Sequence, residues 1–135
     1  MRTNCSITVY NRYVVSGTET YQRIQVLDVG WENRKAANVL KSGLLAADQA
    51  TVFIPFARAA NYVAPKAWLA LSTKTGKWTL QMGDYLVKGL VADEITTQFT
   101  VTSLKAKYDD VLQVKSVDTK DMGSASMRHF QVGAG

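Results

Sequence analysis

The chain opens on alternation. In Ile7-Thr8-Val9-Tyr10-Asn11-Arg12-Tyr13-Val14-Val15, apolar groups at Ile7, Val9, Tyr13 and Val15 share one parity, which is the period of a half-buried strand. Ser16-Gly17-Thr18 supplies a turn, and the pattern resumes from Thr20 to Val29, so a β-hairpin is predicted over about residues 6–30. From Gly30 to Gln49 the periodicity fails: the run is basic, rich in small residues and broken by Ser42-Gly43. It is predicted as a long irregular loop, of a length that compact domains keep for function or for ordering by a partner. A short helix through 38–45 is the alternative there.

Alternation returns in Ala50-Thr51-Val52-Phe53-Ile54-Pro55-Phe56, a strand that Pro55 ends or confines to an edge because proline cannot donate to a ladder. A second irregular loop is expected over about 57–66. Ala67-Trp68-Leu69-Ala70-Leu71 reads as a short strand or a turn of helix, Trp78-Thr79-Leu80-Gln81 as a strand, and Met82-Gly83-Asp84 as a tight turn whose glycine supplies positive φ. Residues 85–91 continue extended, with Gly89 marking a bulge or bend. A short helix is expected over 103–108, and strands over 111–117 and 127–132. The sum is one domain spanning 1–135, mainly β: a small β-barrel or sandwich with long loops and one short helix.

Composition agrees with that class. A chain of 135 residues, 47% hydrophobic and 20% charged, has the size and balance of one folded unit. No apolar run reaches the length of a signal peptide or membrane span, so no membrane partner is expected. Cys5 is the only cysteine, which rules out an internal disulfide and suits a reducing cytosol. The charge is uneven: between Arg34 and Lys77 seven cations face one anion, while the remainder of the chain nets −1. Such a segment favours a polyanion or an acidic protein surface as neighbour, against the plainer reading of a solvated basic face.

The chemistry of catalysis is thin. His129 is the only histidine, it sits in an expected strand, and the other members of a nucleophilic triad are missing. The acidic pairs Asp93-Glu94 and Asp109-Asp110 are adjacent in sequence and so would point to opposite faces of a strand. No glycine-rich phosphate loop and no zinc or EF-hand spacing occurs. No enzyme, catalytic residue, metal or cofactor is expected. Trp31 ahead of Arg34-Lys35, and Lys77-Trp78, pair aromatic with basic residues in the manner of single-strand-binding barrels, although such aromatics are more often core.

Across Ile7-Thr8-Val9-Tyr10, Gly30-Trp31, Val52-Phe53-Ile54-Pro55, the run from Trp78 to Gly89, Asp93-Glu94-Ile95-Thr96, Tyr108-Asp109-Asp110-Val111 and His129-Phe130-Gln131-Val132, the sequence resembles a family of small proteins from the structural modules of tailed phages, found with head-completion and tail-joining genes. The resemblance implies a head-to-tail connector component of the virion neck, a head-closure or stopper ring. It would fold in the host cytoplasm and assemble as a homo-oligomeric ring, a dodecamer or hexamer. Its partners would be a portal or adaptor protein and tail-terminator or tail-tube proteins, with non-specific contact to packaged DNA. In that setting Arg34, Lys35 and Lys41 are expected toward the DNA channel, and Tyr62 and Val63, with Arg58 and Lys66, in a loop packing on an adjacent subunit. A tail-terminator or other neck ring is an alternative within the same class, and a free nucleic-acid-binding β-barrel is the alternative outside it.

Overall fold

The computed structural model describes residues 5–40, 43–108, 110–124 and 127–135, with 33–40 and 43–48 described by their backbone. Six strands, β1 (Cys5–Val15), β2 (Thr18–Leu40), β3 (Gly43–Pro55), β4 (Tyr85–Lys88), β5 (Val111–Lys120) and β6 (His129–Ala134), close into a barrel in the order β1-β2-β3-β6-β5-β4. Every pairing is antiparallel. The protein is thus mainly β, and a barrel.

Register follows from which parity is apolar. Ile7 and Val9 face Val26 and Ile24 across the β1–β2 ladder, Val9 faces Leu86, Leu86 faces Leu112, Val52 faces Val132, and Ile54 faces Phe130. Together with Trp31, Trp78 and Leu80 these side chains form the interior. Burying each aliphatic group there contributes about 1.5–3 kcal/mol. The predicted hairpin is present: Val15 pairs with Thr18, and the turn between them takes φ 50 at Ser16 and 79 at Gly17, the positive pair that a two-residue hairpin turn demands. An irregularity between Cys5 and Ile7 absorbs one extra residue of β2, where Asp28 takes φ 56, as a bulge does.

The opposite parity of β1 and β4 carries a second, smaller core on the barrel's outside. Tyr10, Val87, Val91 and Leu104 are buried there, under residues 89–100 and the short helix α2 (Val101–Lys107). Thr8 pins this cover: its hydroxyl donates to the Gly89 carbonyl and accepts from the Val91 N–H, both at 2.8 Å. Tyr10 donates to the Asp93 carbonyl at 2.6 Å.

Two expectations need correction. Residues 30–49 are not an irregular loop. Apart from residues 41 and 42, which lie outside the described residues, they continue the β2–β3 ladder from Gly30↔Phe53 to Leu40↔Gly43. Their sequence lacks alternation, and the ladder continues in the register already set at Trp31↔Val52. The run Trp78-Thr79-Leu80-Gln81 is also not a ladder strand. It makes a single parallel bridge, Tyr62↔Trp78, and its apolar residues plug the barrel instead. A helix α1 (Pro65–Ala70) precedes it, so the described residues hold two short α-helices where one was expected.

Candidate functional site

The β2–β3 ladder outruns the barrel. β1 pairs with β2 only through Val29, and β6 pairs with β3 only from Ala50 onward. From Arg34↔Gln49 to Leu40↔Gly43, strands β2 and β3 pair with each other and, among the described residues, with no third strand. At roughly 3.3 Å per residue this two-stranded arm is about 25 Å long. Its sequence carries Arg34, Lys35 and Lys41 against Asp48, and an apolar set of Val39, Leu40, Leu44 and Leu45 among alanines. Arg34 sits on the rung with Gln49 and Lys35 on the rung with Asp48; Lys41 lies outside the described residues. A lone two-stranded ribbon is marginally stable in water, and its edges present unpaired backbone donors and acceptors.

The other end of the barrel is closed by residues 56–84. A 3-10 turn (Phe56–Arg58) leads off from β3. Trp78, 1% exposed, then donates its indole N–H to the Ala60 carbonyl at 2.8 Å, while its backbone accepts from Val63 at 2.9 Å. Tyr62 lies between Trp78 and Phe130, with ring centroids 5.2 and 4.5 Å away. The Tyr62 ring and the Val63 backbone are therefore committed to their own chain, and the 57–66 segment is an ordered plug. Arg58 pairs with Asp28 at 3.1 Å across two exposed side chains, and Lys66 is exposed at the start of α1.

Beneath the plug is a buried polar hub that the sequence reading missed. Asn11 continues the inward parity of Ile7 and Val9 to the rim of the barrel, where there is no apolar partner. Its amide donates to the Thr79 carbonyl and to Asp84 Oδ2, both at 2.7 Å, and its oxygen accepts from the Thr79 N–H at 3.0 Å. Asp84 Oδ1 accepts from the Arg12 N–H at 2.9 Å and from the Gln81 amide at 3.3 Å. Burial pushes the Asp84 carboxyl up to about 6, against these donors. Gly83 beside it takes φ 92, as the predicted tight turn requires.

Over this hub lies an open groove of about 350 Å³, lined by Tyr13, Val14, Leu69 and Met82 with Arg12 and Gln81. Val14, Leu69 and Met82 are 60, 55 and 74% exposed. Trp68 supports its floor, edge-on to Tyr13 at 5.5 Å, and Lys74 Nζ lies 5.0 Å from the Tyr13 ring and 5.2 Å from that of Trp68.

The remaining candidates are placed as follows. Trp31, like Trp78, is in the core. His129 packs on Phe53, with centroids 5.6 Å apart, and its Nδ1 is 2.9 Å from the Met127 carbonyl. Partial burial raises the Cys5 thiol, with Lys88 opposing. Asp93 is held below the usual carboxylate range by hydrogen bonds from Lys107 and Tyr108. Among the described residues no cluster of His, Cys, Asp or Glu is arranged to hold a metal, and no helix is long and apolar enough to cross a membrane.

The molecule is a six-stranded antiparallel barrel with a ribbon arm at one end and a plugged, partly apolar face at the other. Its sequence matches the model of a family described as a family of unknown function (DUF6751) over residues 2–135, and the chain belongs to that family. No curated protein and no solved structure matches it.

Proposed function

We propose that the protein is a structural subunit that works by assembly: a component of the head-to-tail connector of a tailed phage, forming a homo-oligomeric ring around the DNA passage. The observation that carries this reading is the arm. A ribbon about 25 Å long, whose edges meet no third strand among the described residues and whose end is apolar in sequence, is what a protein exposes when another subunit is to cover it. Its cations, Arg34, Lys35 and Lys41, suit a surface beside packaged DNA, where phosphate contact must be non-specific so that the duplex can slide. The sequence resemblance to head-completion proteins supplies the setting. A portal or adaptor ring above and a tail-terminator or tail-tube ring below are the partners the reading requires.

The free nucleic-acid-binding reading is weaker, because the two tryptophans it needs for stacking, Trp31 and Trp78, are 3 and 1% exposed. Particles assembled without the protein test the proposal. Filled heads and separate tails are expected; complete, infectious particles contradict it.

A further inference from the structure

Donor and acceptor features lie at opposite ends of one strand. β2 begins at Thr18, beside the β1 rim that carries Tyr13 and Val14, and ends at Leu40 in the arm. With Asn33 to Leu40 running beyond the barrel, a subunit cannot fold its arm back onto its own Val14 groove without dismantling the ladder that holds the arm. Meanwhile Val14, Leu69 and Met82, drawn from β1, α1 and the loop before β4, bring three large exposed apolar side chains to one groove. Single exposed apolar residues are ordinary, but a clustered set marks a contact surface.

We infer that the groove formed by Val14, Leu69 and Met82 is the receptor for the β2–β3 arm of a second copy of this chain. The inference rests on the assembly reading above and names its interface. The occupant follows from what each surface lacks. The arm's sequence offers Val39, Leu40, Leu44 and Leu45, and its ladder reaches no third strand among the described residues. The groove offers exposed aliphatic surface beside the edge-on Tyr13 and Trp68 rings. The Arg12–Glu19 ion pair, 2.6 Å, edges the site. Because the two surfaces differ and sit at opposite ends, the contact is heterologous, and repetition either closes a ring or extends a filament.

The test uses two variants of the full chain. In the first, Leu69→Asp with Met82→Glu spoils the groove and keeps the arm. In the second, residues 34–49 are replaced by Asn-Gly, closing the Asn33↔Ala50 rung with a two-residue turn and keeping the groove. All changed groove residues are exposed, so both variants are expected to melt as the wild type does. Each variant alone is expected to be monomeric, with self-association weakened at least tenfold, on the order expected for lost burial of two large apolar side chains. An equimolar mixture is expected to give a one-to-one dimer and nothing larger, since it holds one intact arm and one intact groove per pair. If the wild type associates and the groove variant associates equally, the groove assignment is overturned while the assembly reading stands. If the wild type stays monomeric throughout, both are overturned. A mixture that remains two monomers also overturns the groove assignment.

Discussion

Asp84 is 1% exposed and receives three hydrogen bonds, from the Arg12 N–H and the side chains of Asn11 and Gln81. Removing it strands buried donors, so Asp84→Ala is expected to lower stability by about 2–3 kcal/mol in denaturant titration. Its carboxyl is raised from 3.8 to about 6. The folded chain therefore holds a proton between about pH 4 and 6 that the unfolded chain has released. Stability from this group is full below that window and falls as pH rises through it. Asp84→Asn is expected to flatten this slope. Two of the buried indoles, Trp68 and Trp78, make a second test at this scale. Trp78 bonds Ala60, whereas the buried Trp68 N–H meets no acceptor among the described residues. Replacement by Phe should therefore cost about 1–2 kcal/mol more at Trp78 than at Trp68, read as the difference between two unfolding midpoints.

Elements were legible where their own residues alternate. The β1–β2 hairpin follows from Ile7, Val9, Tyr13 and Val15 with Ser16-Gly17 between the strands, and β5 and β6 from similar patterns. The arm was not, because alanines and cations at 34–48 give no period, and its strands are held by register inherited from Trp31↔Val52. Trp78 and Leu80 alternate as a strand would, yet they serve as a plug because Thr79 between them is claimed by Asn11. The groove was invisible for a different reason: Val14, Leu69 and Met82 are distant in sequence, and no pattern along the chain shows that the fold brings them together. Since the arm's rungs beyond Ala50 meet no third strand among the described residues, replacing 34–49 by Asn-Gly should leave the melting temperature within a few degrees of wild type. A loss of most of the fold in that variant would show that the arm belongs to the barrel's core.

At the scale of the whole molecule, arm and groove at opposite ends make assembly directional, and the basic arm sets what an assembled ring meets. Binding of the assembled protein to double-stranded DNA should weaken linearly on a log–log plot against salt, and the slope should shrink when Arg34, Lys35 and Lys41 are all replaced by Ala. A slope unchanged by that triple replacement would move the DNA contact elsewhere on the ring. The most direct measurement is sedimentation of the purified wild-type chain over a range of concentrations beside the arm-replaced variant. Association of the wild type into a discrete ring-sized species, with the variant remaining a monomer, is the predicted result. A wild type that sediments as a monomer at every concentration, or a variant that assembles as well as the wild type, would contradict the account.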